Sequence, residues 1–307
     1  MTPPPKLEQG SPDDDYPLND MASADFNVGG VRRTLPPEQQ LKQLASYLDS
    51  TYPVPDLTPP WAGGDGDPGP GDRYSAKLPD RITHAAMLML GTAVDHAMPG
   101  VAFARGVDTE EVPGGLVLRP SVSTGRWALS LHSGGWWRGS GEALDYQWRP
   151  EVAAAAELSG TTILDLDYPL LPGASLAEVN AEVTRALDWI RTQGASSVTA
   201  WGYSSGAALA AMQASRVDAL VLTFPDLDSV ARLPESLSDG MQVPAADEWP
   251  RSLVQVALRD EVAARPSISG DAAVKEYVST HRISTPEVAR QRIRDVAEFL
   301  GSVGPLF

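Results

Sequence analysis

Cysteine is missing from this 307-residue chain altogether. That absence excludes disulfide frameworks, thiolate metal sites and a cysteine nucleophile. A chain without thiols suits oxidising and reducing surroundings alike, so the absence does not locate the protein. Histidine is scarce: His84, His96, His132 and His281 are the four there are, and chemistry that needs an imidazole has few places to come from. Basic residues are outnumbered, 24 Lys and Arg against 40 Asp and Glu, for a formal charge of −16. Such a chain repels phosphate backbones and anionic lipid head groups at long range, and nucleic acid is not expected as a partner. No stretch approaches the ~18 apolar residues of a spanning helix. The longest apolar helix candidate, around Ile82 to Val94, is interrupted by Thr83, His84 and Gly91. The opening Met-Thr-Pro-Pro-Pro-Lys has no apolar core of a secretory signal. A cytoplasmic protein without stable membrane insertion is the expectation.

What is present is enough apolar material for a large core: 42% hydrophobic against 21% charged residues, as in ordinary globular proteins. Residues 1–35 are rich in Pro, Asp, Gly and Ser without an apolar period, and read as a disordered or loosely attached segment. Residues 36–99 read as a helical cap and linker. Pro36 and Pro37 open a helix with Leu41, Leu44, Ala45 and Leu48 on one face. A Pro- and Gly-rich loop is expected over 52–79, and a second helix over 80–97 with Ile82, Ala85, Met89 and Ala93.

From about residue 100 to 307 strand-like and helix-like runs alternate, the mark of a mostly parallel sheet covered by helices. Strands are expected at Leu116–Leu118, Trp127–Leu131, Thr161–Leu166, Ser197–Trp201, Ala219–Thr223, Leu253–Leu258 and Val274–Val278. Helices are expected at Glu151–Leu158, between Pro150 and Gly160, at Leu176–Ile190 behind a Ser175/Glu178 capping box, and at Pro286–Leu300 behind Thr285.

The strongest chemical signal follows the strand Ser197–Trp201: Gly202-Tyr203-Ser204-Ser205-Gly206, then a run of alanines. A strand turning abruptly into a helix strains the residue at the turn and stands its side chain clear of the sheet. The flanking glycines avoid a collision that a Cβ would cause, and Ala207, Ala208 and Ala210 let the helix sit close. Ser204 is central and is the candidate nucleophile, with Ser205 as its neighbouring competitor. A second signal, His132-Ser133-Gly134-Gly135-Trp136-Trp137, directly follows the strand Trp127–Leu131. Acyl transfer through a serine forms a tetrahedral oxyanion that preorganised N–H groups must meet, and glycine permits the close approach. The N–H groups of Gly134, Gly135 and Ser205 are the candidate oxyanion donors.

In their order, His132-Ser133-Gly134-Gly135-Trp136, then Asp167-Tyr168-Pro169-Leu170-Leu171-Pro172, then Gly202 to Gly206, these motifs resemble the hormone-sensitive-lipase-like branch of the α/β-hydrolases. The Trp137-Arg138 extension and the Asp-Tyr-Pro-Leu variant are also similar to kynurenine-formamidase-type enzymes. The resemblance spans roughly 105–300. It implies an α/β-hydrolase fold with a small helical N-terminal cap, no cofactor, and a carboxylic-ester hydrolase of the esterase or lipase kind. This chain departs from the pattern at Ser133, where the family carries glycine, at Tyr203 and Ser205, where it carries Asp and Ala, and at Pro169 and Gly173.

In such enzymes the remaining members follow in the order serine, acid, histidine. His281 is the one histidine after Ser204 and so the candidate base; His84 and His96 read as ordinary helix residues and His132 as a brace for the glycine loop. Asp260, just past the strand Leu253–Leu258, is the candidate acid, with Glu261 behind it and Asp226 and Asp228 as weaker options. Trp136, Trp137 and Tyr203 are candidates to line a substrate pocket, whereas Trp148 and Trp201 read as packing residues. The carboxylates show no metal-ligand spacing, and no dinucleotide fingerprint is present. The expected partner is a small-molecule ester or acyl compound. A formamidase, another amidase or an acyltransferase could use the same residues, and a silent hydrolase fold that binds a ligand or partner is an option from another class. A homodimer is one option for the assembly.

Overall fold

The structure, a computed structural model, describes residues 27–28, 31–32, 35–91, 94–268, 270 and 272–304. The expectation for 1–35 therefore falls almost wholly outside the described residues, as does Ala93 of the second expected helix. Two short strands, β1 (Asn27–Val28) and β2 (Val31–Arg32), pair antiparallel. Helices α1 (Pro37–Thr51), α2 (Gly69–Met89) and α3 (Pro99–Phe103) follow, then strands β3 (Asp108–Val112), β4 (Gly115–Arg119) and β5 (Arg126–Leu131). The rest alternates: α4 (Arg149–Ser159), β6 (Thr162–Leu166), α5 (Leu176–Thr192), β7 (Ser197–Tyr203), α6 (Ser205–Ala211), β8 (Ala219–Thr223), α7 (Glu235–Ser238), β9 (Arg251–Arg259), β10 (Ala272–Thr280) and α8 (Pro286–Ser302).

Eight strands form one sheet in the order β10-β9-β8-β7-β5-β6-β4-β3. β4 runs antiparallel to both neighbours and every other pairing is parallel. Side chains alternate between the faces of a strand, and the two cores show it on β5. Leu129 and Leu131 join Val179, Val183 and Leu187 of α5 and the alanines of α6 on one face. Ala128 joins Val152 and Ala155 of α4 and Ile293 and Val296 of α8 on the other. A buried polar chain stitches the second face: Trp148 donates to Ser130 Oγ at 2.8 Å, Ser130 Oγ donates to Asp165 at 2.6 Å, and Arg149 Nε reaches Asp165 at 3.0 Å. Burial pushes the Asp165 carboxyl up to about 6 in spite of these partners.

Two departures from the sequence-based expectation concern α2 and β3. The expected loop over 52–79 ends at Gly69, where α2 begins, and α2 stops at Met89 rather than at 97. Pro70 sits in the first turn, where a missing N–H costs nothing. Pro79 lies inside the helix and is tolerated because Gly71, Tyr74, Leu78, Ile82 and Ala85 give the helix a continuous buried face; packing outweighs composition here. Gly91, with φ +84°, ends it. β3 has the sequence Asp-Thr-Glu-Glu-Val and is mostly exposed at the sheet edge, so no apolar alternation announced it.

α1 and α2 build a third cluster of their own, with Leu41, Leu44, Leu48, Tyr74, Leu78 and Ile82 packed around Ile283, two residues past His281. Leu44→Ala in this fully buried position should lower stability by about 2–5 kcal/mol, read as a shift of the urea midpoint. An unchanged midpoint would mean that α1 does not pack onto α2.

Candidate functional site

The strand order reverses between β5 and β7: the chain leaving β5 crosses to β6 on one side, and β7 lies on the other. Connections that depart in opposite directions open a crevice at the carboxyl ends of the strands. The sequence-expected residues gather at those ends, since His132 follows β5, Ser204 follows β7, Asp226 follows β8, Asp260 follows β9 and His281 follows β10.

Ser204 joins β7 to α6 with φ 57° and ψ −118°, a conformation that a non-glycine residue adopts only under strain. Its neighbours hold it there. Its N–H donates to Thr223 O at 3.0 Å, and its carbonyl accepts from Asp226 N at 3.2 Å. A Cβ on Gly202 would overlap Gly206 O, and one on Gly206 would overlap the carbonyls of Leu131 and His132. Both obstacles are backbone and cannot swing away, so glycine is required at both positions.

Ser204 Oγ lies 2.9 Å from His281 Nε2, and His281 Nδ1 lies 2.8 Å from Asp260 Oδ2. Ser204 and His281 are buried. Asp260 Oδ1 accepts from the N–H groups of Val262 (2.8 Å) and Ala263 (2.7 Å). Burial alone would raise the Asp260 carboxyl, but the His281 ring and the two amides outweigh it and hold the group below the usual carboxylate range. Glu261, the other acid candidate, does something different: Oε2 accepts the His281 N–H at 2.7 Å and Oε1 pairs with Arg282 at 2.9 Å. Asp226 is paired with Arg232 at 2.6 Å, and Asp228 is exposed.

Chain position alone did not reveal Glu261's hold on the histidine backbone. Nor did it reveal that the Tyr203 hydroxyl donates to the His281 carbonyl while its ring stacks on the imidazole at 5.5 Å.

The glycine loop is folded tightly under Ser204. Gly134 (φ +140°), Gly135 (φ +62°) and Trp136 (φ +79°) all take positive φ. His132 stacks on Tyr168 with centroids 4.1 Å apart, and its Nδ1 lies 2.6 Å from Ser133 O. Tyr168 donates to the His132 carbonyl at 2.7 Å. Burial pushes the His132 imidazole down to about 4, so it is a neutral brace. The structure separates the three expected donors. Gly135 N–H donates to Ser205 Oγ at 3.0 Å, whereas the N–H groups of Gly134 and Ser205 have no acceptor among the described residues. On its far side the loop is tied to α2 by Gly139 N–H donating to Asp72 Oδ1 at 2.8 Å.

Of the aromatic candidates, Trp136 points into the core with Leu131 and Leu171, whereas Tyr203 is buried with its hydroxyl engaged and lines a small cavity of about 30 Å³ together with Phe224, His281 and Arg282. Positive φ turns Trp136 under the sheet, and the strand register turns Tyr203 toward Trp148 and Phe224. Trp137 remains beside the loop, its indole edge 4.0 Å from where a Gly135 Cβ would be. Trp148 and Trp201 are core residues whose indole N–H groups bond to Ser130 and Thr223. Beyond β8, a groove of about 600 Å³ is lined by Asp226, Leu227, Val230, Met241, Val243 and Trp249. A smaller cavity of about 180 Å³ shares Ala264, Arg265 and Pro266 with it and reaches Asp260.

Among solved structures, the chain is similar to an esterase from the bacterial hormone-sensitive lipase family (16% identity, 86% of this chain and 98% of that one, TM-score 0.56). It is also similar to a thermostable carboxylesterase cloned from a metagenomic library (17%, 78% and 98%, TM-score 0.54). A third is the hyperthermophilic esterase of Pyrobaculum calidifontis (17%, 77% and 93%, TM-score 0.52). The fold is that of the α/β-hydrolases. No family model and no curated protein matches the sequence. At these identities the likeness concerns the fold alone. Among the described residues, no helix is long and apolar enough to cross a membrane, and no three His, Cys, Asp or Glu side chains are grouped to hold a metal.

The buried, neutral His132 has a consequence for pH. Its folded pKa, about 4, lies below the ordinary 6.5. Above pH 6.5 both folded and unfolded forms are neutral; between 6.5 and 4 only the unfolded chain takes up the proton, so stability falls as pH drops. Asp165, with its raised pKa, works in the opposite direction and cancels when wild type is compared with His132→Gln. The stability difference between the two should shift against wild type by on the order of 3 kcal/mol from pH 7 to pH 4, measured by urea denaturation. A constant difference would show a solvated imidazole.

Proposed function

We propose that the chain is a serine hydrolase that cleaves carboxylic esters through an acyl-enzyme. The observation that carries this reading is the continuous chain Ser204 Oγ–His281 Nε2 (2.9 Å) and His281 Nδ1–Asp260 Oδ2 (2.8 Å), seated at the sheet's switch point. With Nδ1–H directed to ionised Asp260, Nε2 presents its lone pair to the serine hydroxyl. Ser204 Oγ attacks the ester carbonyl carbon as its proton passes to Nε2. The carbonyl oxygen becomes an oxyanion facing the N–H groups of Gly134 and Ser205. As the intermediate collapses, the C–O bond to the alcohol breaks and His281 returns the proton to the leaving oxygen. Water, deprotonated by the same imidazole, then attacks the acyl-serine; the acid departs and Ser204 regains its proton.

The remaining assignments belong to the same reading. α1 and α2 form a cap, since α2 is tied through Asp72 to the glycine loop. Trp137 and the groove beyond β8 contribute to holding a small-molecule ester. The esterase descriptions of the structural neighbours favour ester over amide substrates, and the hormone-sensitive-lipase branch is where the ordered motifs and one of those neighbours point together.

Labelling with a small fluorophosphonate, followed by mass mapping, should yield one adduct, on Ser204, lost in Ser204→Ala. A folded wild type that takes no label, or takes it elsewhere, would end the proposal. In hydrolysis of short-chain aryl esters, Asp260→Asn should lower kcat by about 10³–10⁴-fold, because the imidazole loses its orienting partner. Glu261→Gln, which keeps an acceptor for the His281 N–H, should cost about tenfold or less. A ranking of the two in the reverse order would reassign the acid.

A further inference from the structure

The hydroxyl of Ser205 has no part in the mechanism above, which uses only the Ser205 backbone N–H. Yet it is completely buried and sits where three motifs meet. It accepts the Gly135 N–H at 3.0 Å. Beside it, the Tyr168 phenol donates to the His132 carbonyl at 2.7 Å. Gly135 and His132 are the two ends of the glycine loop. Two hydrogen bonds thus tie the two ends of the loop, Gly135 N–H to Ser205 Oγ and Tyr168 O–H to His132 C=O.

We infer that Ser205 is a positioning residue: its hydroxyl anchors the Gly134–Gly135 peptide and thereby sets the direction of the Gly134 N–H toward the oxyanion. The physical need is plain in the backbone. Gly134 and Gly135 both have positive φ, and glycine is the residue with most conformational freedom to lose. An oxyanion donor is effective only if held in place before charge develops. In this chain a side chain on the nucleophile's own turn supplies that restraint, so Ser204 and the loop that faces its oxyanion move as one body. Gly135 is thus an anchor point rather than a third donor.

This inference rests on the serine-hydrolase reading, and one set of measurements separates the two. Wild type, Ser205→Ala, Tyr168→Phe and the double variant are compared in steady-state hydrolysis of an aryl ester, in fluorophosphonate labelling, and in inhibition by a trifluoromethyl ketone, whose adduct carries the tetrahedral oxyanion. Ser205→Ala should lower kcat about tenfold with KM nearly unchanged, less than the ~10²–10³-fold of losing a donor outright. Its inhibition constant for the ketone should weaken by a similar factor. The pH profile, which reports His281, should stay in place. Tyr168→Phe, which releases the other end of the loop, should act in the same direction, and the double variant should lose more than either single variant. If Ser205→Ala does not fold, Ser205→Cys, with nearly the same volume and a weaker acceptor, carries the same expectation at a smaller factor. A kcat equal to or above wild type in the Ala or Cys variant would overturn the inference, since the hydroxyl would then be idle or withholding the Gly135 amide. A wild type that neither labels nor turns over would instead overturn the hydrolase reading itself.

Discussion

The structure turns on one backbone constraint, the forced bend at Ser204. A chain leaving the central strand β7 must reverse into α6 within a single residue, and that residue is held at φ 57°. The bend survives because Gly202 and Gly206 present no Cβ to the backbone they cross, and because Thr223 of β8 holds the N–H of Ser204 while Asp226, just past β8, holds its carbonyl. Strain of this kind persists only where the surroundings over-determine it. The small residues Ala207, Ala208, Ala210 and Ala211, all fully buried, are what let α6 lie close enough to the sheet for that to happen.

Around this fixed point the other groups are placed by strands rather than by long flexible loops. The histidine sits one residue past β10, the acid one residue past β9, and the glycine loop starts directly after β5. Each is then fastened a second time. Glu261 and Tyr203 hold the two backbone polar groups of His281, two amides hold Asp260, and Tyr168 holds His132. Such doubly anchored side chains lose little freedom when a reaction demands one geometry. The helical layer of α1 and α2 joins in through Ile283 and Asp72, so the segment before the sheet bears on both the base and the glycine loop.

The burial of polar groups follows the same logic. His132 is neutral and stacked, so its imidazole serves the loop as a flat, hydrogen-bonded plate rather than as an acid or base. Asp165 is buried against Arg149 and Ser130 beneath β5 and β6, away from the carboxyl ends where the candidate chemistry gathers. Asp260, with its hydrogen-bond donors, stays charged. Titratable groups of similar chemistry thus have different states because each meets a different set of neighbours.

The sequence by itself determined the alternation of strands and helices from β4 onward, since two-residue and 3.6-residue apolar periods are local properties. It also determined which residues stand at strand ends, and it marked the strained turn, because only glycine and alanine suit the close approaches there. Two local readings failed where tertiary packing outweighed composition. The Pro- and Gly-rich start of α2 became helix once Tyr74, Leu78 and Ile82 had a core to enter, and the acidic β3 paired through its backbone without any apolar signal. What only the tertiary structure decided was adjacency. That Asp260 faces the imidazole while Glu261 turns to the backbone, that Trp136 enters the core, and that the Ser205 hydroxyl meets Gly135 all depend on side-chain direction across elements roughly 70 residues apart in the case of Ser205 and Gly135. Spacing along the chain carries no information about which way two distant side chains point until the sheet has brought them together.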